Sequence, residues 1–195
     1  EIAAARYHSK KLNQVFEAYW YKPSDRKFGS FFDEKGVEVP QTMENAPIKD
    51  YEQITALLRD RPRHQGMDFK TPVGTPITSP HKGRVTRVNW NPPNGTCVEI
   101  EFAESKVMAK FLHLSRLMPE IAVGKGVSPG QVIAESGNTG HSTAPHLHYQ
   151  LEKSSGAIMD PLDFHKTLNA SLPSQEMAPF GQVRDRWSRV LASKA

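Results

Sequence analysis

The chain has 195 residues, with 25 lysines and arginines against 21 aspartates and glutamates (formal net charge +4) and 37% hydrophobic residues. These figures fit one folded domain with room for a subdomain and exclude a disordered chain. No run approaches the ~20 apolar residues of a membrane span, and a single cysteine, Cys97, excludes an internal disulfide and a CxxC zinc site. The positive charge suits a polyanionic partner (nucleic acid, an anionic lipid surface or a cell-wall polymer) as well as simple solubility. The chain opens on Glu1 with no signal-like apolar core behind it, so a mature or trimmed product is expected.

Residues 15–21, rich in aromatics, predict a first strand. Lys22-Pro23-Ser24-Asp25-Arg26 predicts a turn, and Gly29-Ser30-Phe31-Phe32-Asp33 a second strand closed by Glu34-Lys35-Gly36. Residues 1–48 are therefore expected to form a small β subdomain. Pro47 centres a linker, and residues 52–58 have the make-up of a short helix. From about residue 64, strand-like pieces alternate with turn signals such as Pro72-Val73-Gly74-Thr75, Pro92-Pro93-Asn94-Gly95 and Ser136-Gly137-Asn138-Thr139-Gly140. Short strands at that spacing predict an antiparallel, mainly β core over residues 49–168. Cys97 lies in one of these strands and is expected to be a small buried hydrophobe. In the tail, 169–195, Phe180, Val183, Trp187, Val190 and Leu191 recur at helical spacing with Arg184, Asp185, Arg186 and Arg189 between them, which predicts a helix packing on the body.

Of the eight histidines, two groups have metal-ligand spacing. In His146-Leu147-His148, behind Pro145, a strand would turn both imidazoles to one face and Leu147 and Tyr149 to the other. In His64-Gln65-Gly66-Met67-Asp68, an imidazole and a carboxylate fall on one face of a helix or a strand, and Gly66 and Pro72 favour strand and loop. Two imidazoles and a carboxylate form a catalytic zinc set with a fourth position open to water, and an imidazole is left over. That imidazole and His113 would be free for proton transfer or charge stabilisation. His8, His81, His141 and His165 are expected on the surface or in turns, with His141 close enough in sequence to reach substrate. Trp20, Trp90 and Trp187 are expected in the core, Trp90 alternatively on a loop.

Three ordered stretches resemble the lysostaphin/LytM-type zinc metallopeptidases. His64-Gln65-Gly66-Met67-Asp68-Phe69 with Pro72-Val73-Gly74-Thr75-Pro76-Ile77 resembles their first zinc motif, and Phe111-Leu112-His113-Leu114-Ser115 their central histidine motif. The run from Gly137 to His148 resembles their closing motif. The likeness covers about residues 60–165. Residues 16–48 and the tail after Leu172-Pro173 are similar to the flanks of the Gram-negative cell-wall endopeptidase branch. The resemblance implies an antiparallel β-sheet groove, zinc (Zn2+) held by His64, Asp68 and His148, and His113 and His146 as catalytic groups lining the water and the scissile carbonyl. It implies a periplasmic or secreted monomer that cuts D-alanyl-diaminopimelate cross-links of peptidoglycan, with no nucleic-acid partner. Ala144, Phe111 and Gln150 stand where the family has Gly, Tyr and Glu. Residues 57–63 are shorter than the family's stretch before the first motif.

Two other readings compete. An inactive relative would serve as an activator of other wall hydrolases, but here every ligand position is filled. A carrier or binding module is suggested by Val123-Gly124-Lys125-Gly126-Val127 and Gly130-Gln131-Val132-Ile133-Ala134, which resemble the turns of biotinyl and lipoyl domains. Such modules have no HxH pair.

Overall fold

The computed structural model describes residues 2–193. In chain order its elements are β1 (Ala4–Ser9), β2 (Gln14–Tyr21), β3 (Ser30–Phe32), β4 (Thr42–Met43), β5 (Gln53–Ala56), β6 (Met67–Lys70), β7 (Pro76–Thr78), β8 (Gly83–Asn91), β9 (Gly95–Phe102), β10 (Met108–Leu114), β11 (Arg116–Leu117), β12 (Gly126–Val127), β13 (Val132–Glu135), β14 (His146–Glu152), β15 (Ile158–Met159), α1 (Pro161–Phe164), β16 (Thr167–Leu168) and α2 (Ser174–Ala192). They fall into two compact units, one of residues 43–166 and one that joins residues up to 42 to those from 167 onward. No helix among the described residues is long and apolar enough to cross a membrane.

The second of these units is a three-stranded antiparallel sheet, β1-β2-β3, under α2. A sheet with one apolar face must bury that face against another element. The helix supplies the missing half: Phe180 meets Tyr19, Tyr21 and Phe32 edge-on at 6.4, 5.5 and 6.0 Å between ring centroids, and Leu172 completes the buried cluster. Trp187 and Leu191 pack at its margin. The first turn of α2 is tied down by Glu176, whose carboxylate accepts hydrogen bonds from the Tyr21 hydroxyl at 2.5 Å and the Ser24 N–H at 3.1 Å.

The larger unit is built on an antiparallel sheet in the order β12-β8-β9-β10-β14-β6-β5, with β15 paired to β14, beside a smaller sheet β11-β13-β7. Alternation sorts its two faces. Leu147, Tyr149 and Leu151 of β14 join Ala109 and Phe111 of β10, Val98 and Ile100 of β9 and Met67 and Phe69 of β6 in one core. The intervening residues His146, His148 and Gln150 point the other way. Phe111 is fully buried and packs on Tyr149 at 5.2 Å. Cys97 is buried too.

Three expectations are corrected. Residues 53–56 form strand β5 rather than a helix. Ile54 and Ala56 turn inward along the open edge of β6, Ile54 opposite Phe69 and Ala56 opposite Asp68 with a register shift between them, and an available sheet edge outweighs weak helical propensity. His165 is buried and His81 half-buried, so neither is superficial. Their rings stack 5.3 Å apart among Phe102 and Phe164, and the Tyr149 hydroxyl and His165 Nε2 share a hydrogen bond of 3.0 Å. Trp90 and Trp20 lie outside the core, 61% and 36% exposed.

Candidate metal centre

Strand register brings the first two groups together. On the face of the sheet away from the core, His148 of β14 stands directly opposite Asp68 of β6. His148 Nδ1 lies 2.8 Å from Asp68 Oδ1. His64 comes from the loop after β5. That loop is closed by the Leu57 N–H donating to Asp60 Oδ2 at 2.7 Å and the His64 N–H donating to the Arg61 carbonyl at 3.0 Å. Gly66 lets the loop pass beneath His148, because a Cβ there would sit 2.5 Å from the Tyr149 carbonyl and 2.7 Å from His148 Nε2.

Ring tautomers follow from the partners. His64 Nδ1 is 2.8 Å from the Leu57 carbonyl, which can only accept, so Nδ1 carries the proton and Nε2 keeps its lone pair. His64 Nε2 is buried and lies 3.1 Å from Asp68 Oδ1, yet has no partner in hydrogen-bonding geometry. A buried polar atom in that state is costly unless something binds it. One ligand atom each from His64, Asp68 and His148 falls within 4.8 Å of the others. Two imidazole nitrogens and one carboxylate oxygen are a donor set that fits zinc, and a carbonyl fixing the outer nitrogen of a ligand histidine is the usual second layer of such sites. Burial pushes the Asp68 carboxyl up, but the hydrogen bond and charge of His148, with a smaller contribution from nearby His64, outweigh it and hold the group well below the ordinary carboxylate range.

The two remaining histidines flank this set. His113 sits where the pairing of β10 with β9 slips between Phe111 and Leu114, and it adopts the left-handed region with φ 62°. For a non-glycine residue that conformation costs about 1–3 kcal/mol and persists only where its surroundings enforce it. Its Nδ1 lies 2.9 Å from the Thr139 carbonyl. His146 Nδ1 lies 2.8 Å from the Ala144 carbonyl and 3.1 Å from the Ser142 hydroxyl. The carbonyls place a proton on Nδ1 of both rings, so that in the neutral imidazole Nε2 is the acceptor. The rings stand 4.7 Å apart, and His113 is 6.2 Å from the His148 ring. Burial, reinforced by His146 and His148, lowers the His113 pKa against the opposing pull of the Thr139 carbonyl and Asp68. All five residues expected from the sequence thus gather in one site. His8 and His141 lie exposed, the latter with its N–H donating to the Pro93 carbonyl at 3.2 Å. The Cys97 thiol, raised by burial and then by Glu99, is poorly suited to nucleophilic chemistry.

Two contributors escape sequence reasoning. Arg61 forms an ion pair with Asp68 Oδ2 while its side chain stays 60% exposed. Thr139 contributes through its backbone, and its only signal in the sequence is membership of the run before His146.

Residues 62–161 match the model of Peptidase family M23. Peptidoglycan DD-endopeptidase ShyA of Vibrio cholerae is 31% identical over 173 residues, a match covering 84% of this chain and 39% of that protein. Glycyl-glycine endopeptidase ALE-1 of Staphylococcus capitis is 37% identical over 109 residues, covering 53% of this chain and 29% of its own length. A zinc containing peptidase from Vibrio cholerae superimposes with a TM-score of 0.55 at 29% identity, over 89% of this chain and 51% of that one. The chain therefore spans well under half the length of either curated relative.

Proposed function

This chain belongs to Peptidase family M23, and from that premise we propose that it is a zinc-dependent endopeptidase acting in the cell envelope, where it hydrolyses D-alanyl-diaminopimelate cross-links of peptidoglycan. The observation that carries the reading is the convergence of His64 Nε2, Asp68 Oδ1 and His148 Nδ1, with the buried His64 nitrogen lacking a hydrogen-bond partner. These three residues would hold the metal. When bound, zinc supplies Lewis acidity that polarises a carbonyl and makes water a nucleophile near neutral pH.

The chain's own residues supply the proton chemistry. His113 and His146 each present an unprotonated Nε2. One takes the proton from the attacking water. The other, holding on Nε2 a proton taken up from bulk water, donates a hydrogen bond to the oxyanion that forms at the scissile carbonyl. The proton then passes to the leaving amine as the carbon–nitrogen bond breaks. The depressed pKa of His113 keeps it neutral, and so able to accept, at lower pH than an exposed histidine.

The choice of bond is supported by the extent of the likeness. The match to the DD-endopeptidase runs through 84% of this chain, well beyond residues 62–161, whereas that to the glycyl-glycine endopeptidase covers 53%. The reading is tested by elemental analysis paired with hydrolysis of purified cross-linked muropeptide dimers. One equivalent of zinc with release of monomers, both lost in His148→Ala, is expected. Hydrolysis that survives complete removal of zinc would overturn it.

A further inference from the structure

His113 occupies a bulge that the β10 ladder does not hold, because pairing with β9 lapses between Phe111 and Leu114. The Asn94 carbonyl accepts its N–H at 2.9 Å. A second set of contacts converges on Thr139. The Thr139 hydroxyl donates to the Leu114 carbonyl at 2.8 Å and accepts the Thr96 N–H at 3.0 Å. One side chain therefore bridges β9 to the residue that follows His113, across the gap in the ladder. The Thr139 carbonyl meanwhile lies 2.9 Å from His113 Nδ1. Space around this bridge is closed. A Cβ on Gly95 (φ 63°) would come 2.2 Å from Thr139 Oγ1, and one on Gly140 (φ 75°) 2.2 Å from the Gly95 nitrogen.

We propose that Thr139 is the positioning residue for His113: its hydroxyl locks the bulge across β9 and β10, and its carbonyl fixes the imidazole as the Nδ1–H tautomer with Nε2 facing the site. The proposal rests on the reading of His113 as a proton-transfer group. An imidazole whose Nδ1–H is anchored can present only Nε2 as acceptor, and a small misplacement of such a group costs turnover rather than binding.

Thr139→Val keeps the shape and removes both hydroxyl bonds, while Thr139→Ser keeps the hydroxyl. On cross-linked dimers, Thr139→Val is expected to lower kcat by about tenfold or more with KM and zinc content unchanged, and Thr139→Ser to restore most of it. Nitrogen NMR of the zinc-loaded wild-type protein is expected to show His113 protonated at Nδ1, a readout that needs no variant to fold. Wild-type kcat in a Thr139→Val protein, beside an impaired His113→Ala, would overturn the proposal and leave the assigned function standing. So would a His113 ring protonated at Nε2. Undiminished turnover by His113→Ala would instead refute the role of His113 and, with it, anything for Thr139 to position.

Discussion

Asp68 faces imidazoles on one oxygen and a guanidinium on the other. Oδ1 lies 2.8, 3.1 and 3.9 Å from nitrogens of His148, His64 and His146, while Oδ2 pairs with Arg61. Ligation of a metal by Asp68 with neutral His64 and His148 would leave Arg61 as the partner that orients the carboxylate. Arg61→Ala is expected to weaken zinc affinity by about 10–100-fold, the range for outer-layer partners, and Arg61→Lys to fall between because an ammonium lacks the planar fork. Titration against a competing chelator measures this, and equal affinities would rule out the role. His113→Ala and His146→Ala are expected to retain one zinc and lose turnover by about 10²–10⁴-fold; loss of metal from either would mean that ligands and acid–base groups have been divided wrongly. The candidate metal set was legible in part from spacing, because HxH shares a strand face and Asp68 needs only the register of β6 on β14 to meet it, while the choice of His64, Asp68 and His148 within it came from the family resemblance. Arg61 was not, because arginines at 59, 61 and 63 look alike until the loop after β5 turns one of them onto the carboxylate.

Strand β14 does two jobs, since Leu147, Tyr149 and Leu151 build the core while His146 and His148 build the site. Its alternation was legible for that reason, as was the apolar stripe of α2. The strand β5 was misjudged because four residues give little periodicity and the open edge of β6 lies far from local sequence. The stacked pair His81 and His165 was missed because nothing local marks a histidine whose neighbours come from β9 and α1. Burial, and then the neighbouring His81, lower the His165 pKa from 6.5 to about 4, and burial lowers that of His81 against a weaker opposing pull from Glu104. Between those values the unfolded chain binds a proton that the folded one refuses. Stability is therefore complete above about pH 6.5 and declines as pH falls toward 4. His165→Gln, which still offers Tyr149 an acceptor, should flatten part of that slope in denaturant titrations at pH 7 and pH 5; an unchanged slope would place the acid sensitivity elsewhere. For α2, Phe180→Ala should cost about 3–5 kcal/mol, because Phe180 is fully buried against three aromatic rings of the small sheet. A loss below about 1 kcal/mol in urea unfolding would show that this helix does not depend on that contact.

At the scale of the whole molecule, the chemistry of the site does not choose its bond. Two proton-transfer imidazoles beside a metal set, as proposed, would act on any peptide carbonyl that reached them, so selection would come from surfaces around them. Arg59, Arg61 and Arg63 are exposed in the loop that delivers His64, within a chain of net charge +4. Directly cross-linked stem peptides carry free carboxylates beside the scissile bond, whereas a pentaglycine bridge carries none. A cationic rim therefore favours the former, by an attraction screened at physiological salt over about 8 Å. Digestion of purified peptidoglycans of both kinds, followed by mass analysis of the fragments, should show directly cross-linked dimers released as monomers and pentaglycine bridges left whole. Raised salt should lift KM for the dimers more than it lowers kcat, and Arg59→Ala with Arg63→Ala should blunt that salt response without removing zinc. Cleavage of pentaglycine with dimers untouched would refute the substrate while leaving the zinc site intact. A salt response unchanged in the double variant would separate the arginine rim from the choice of bond.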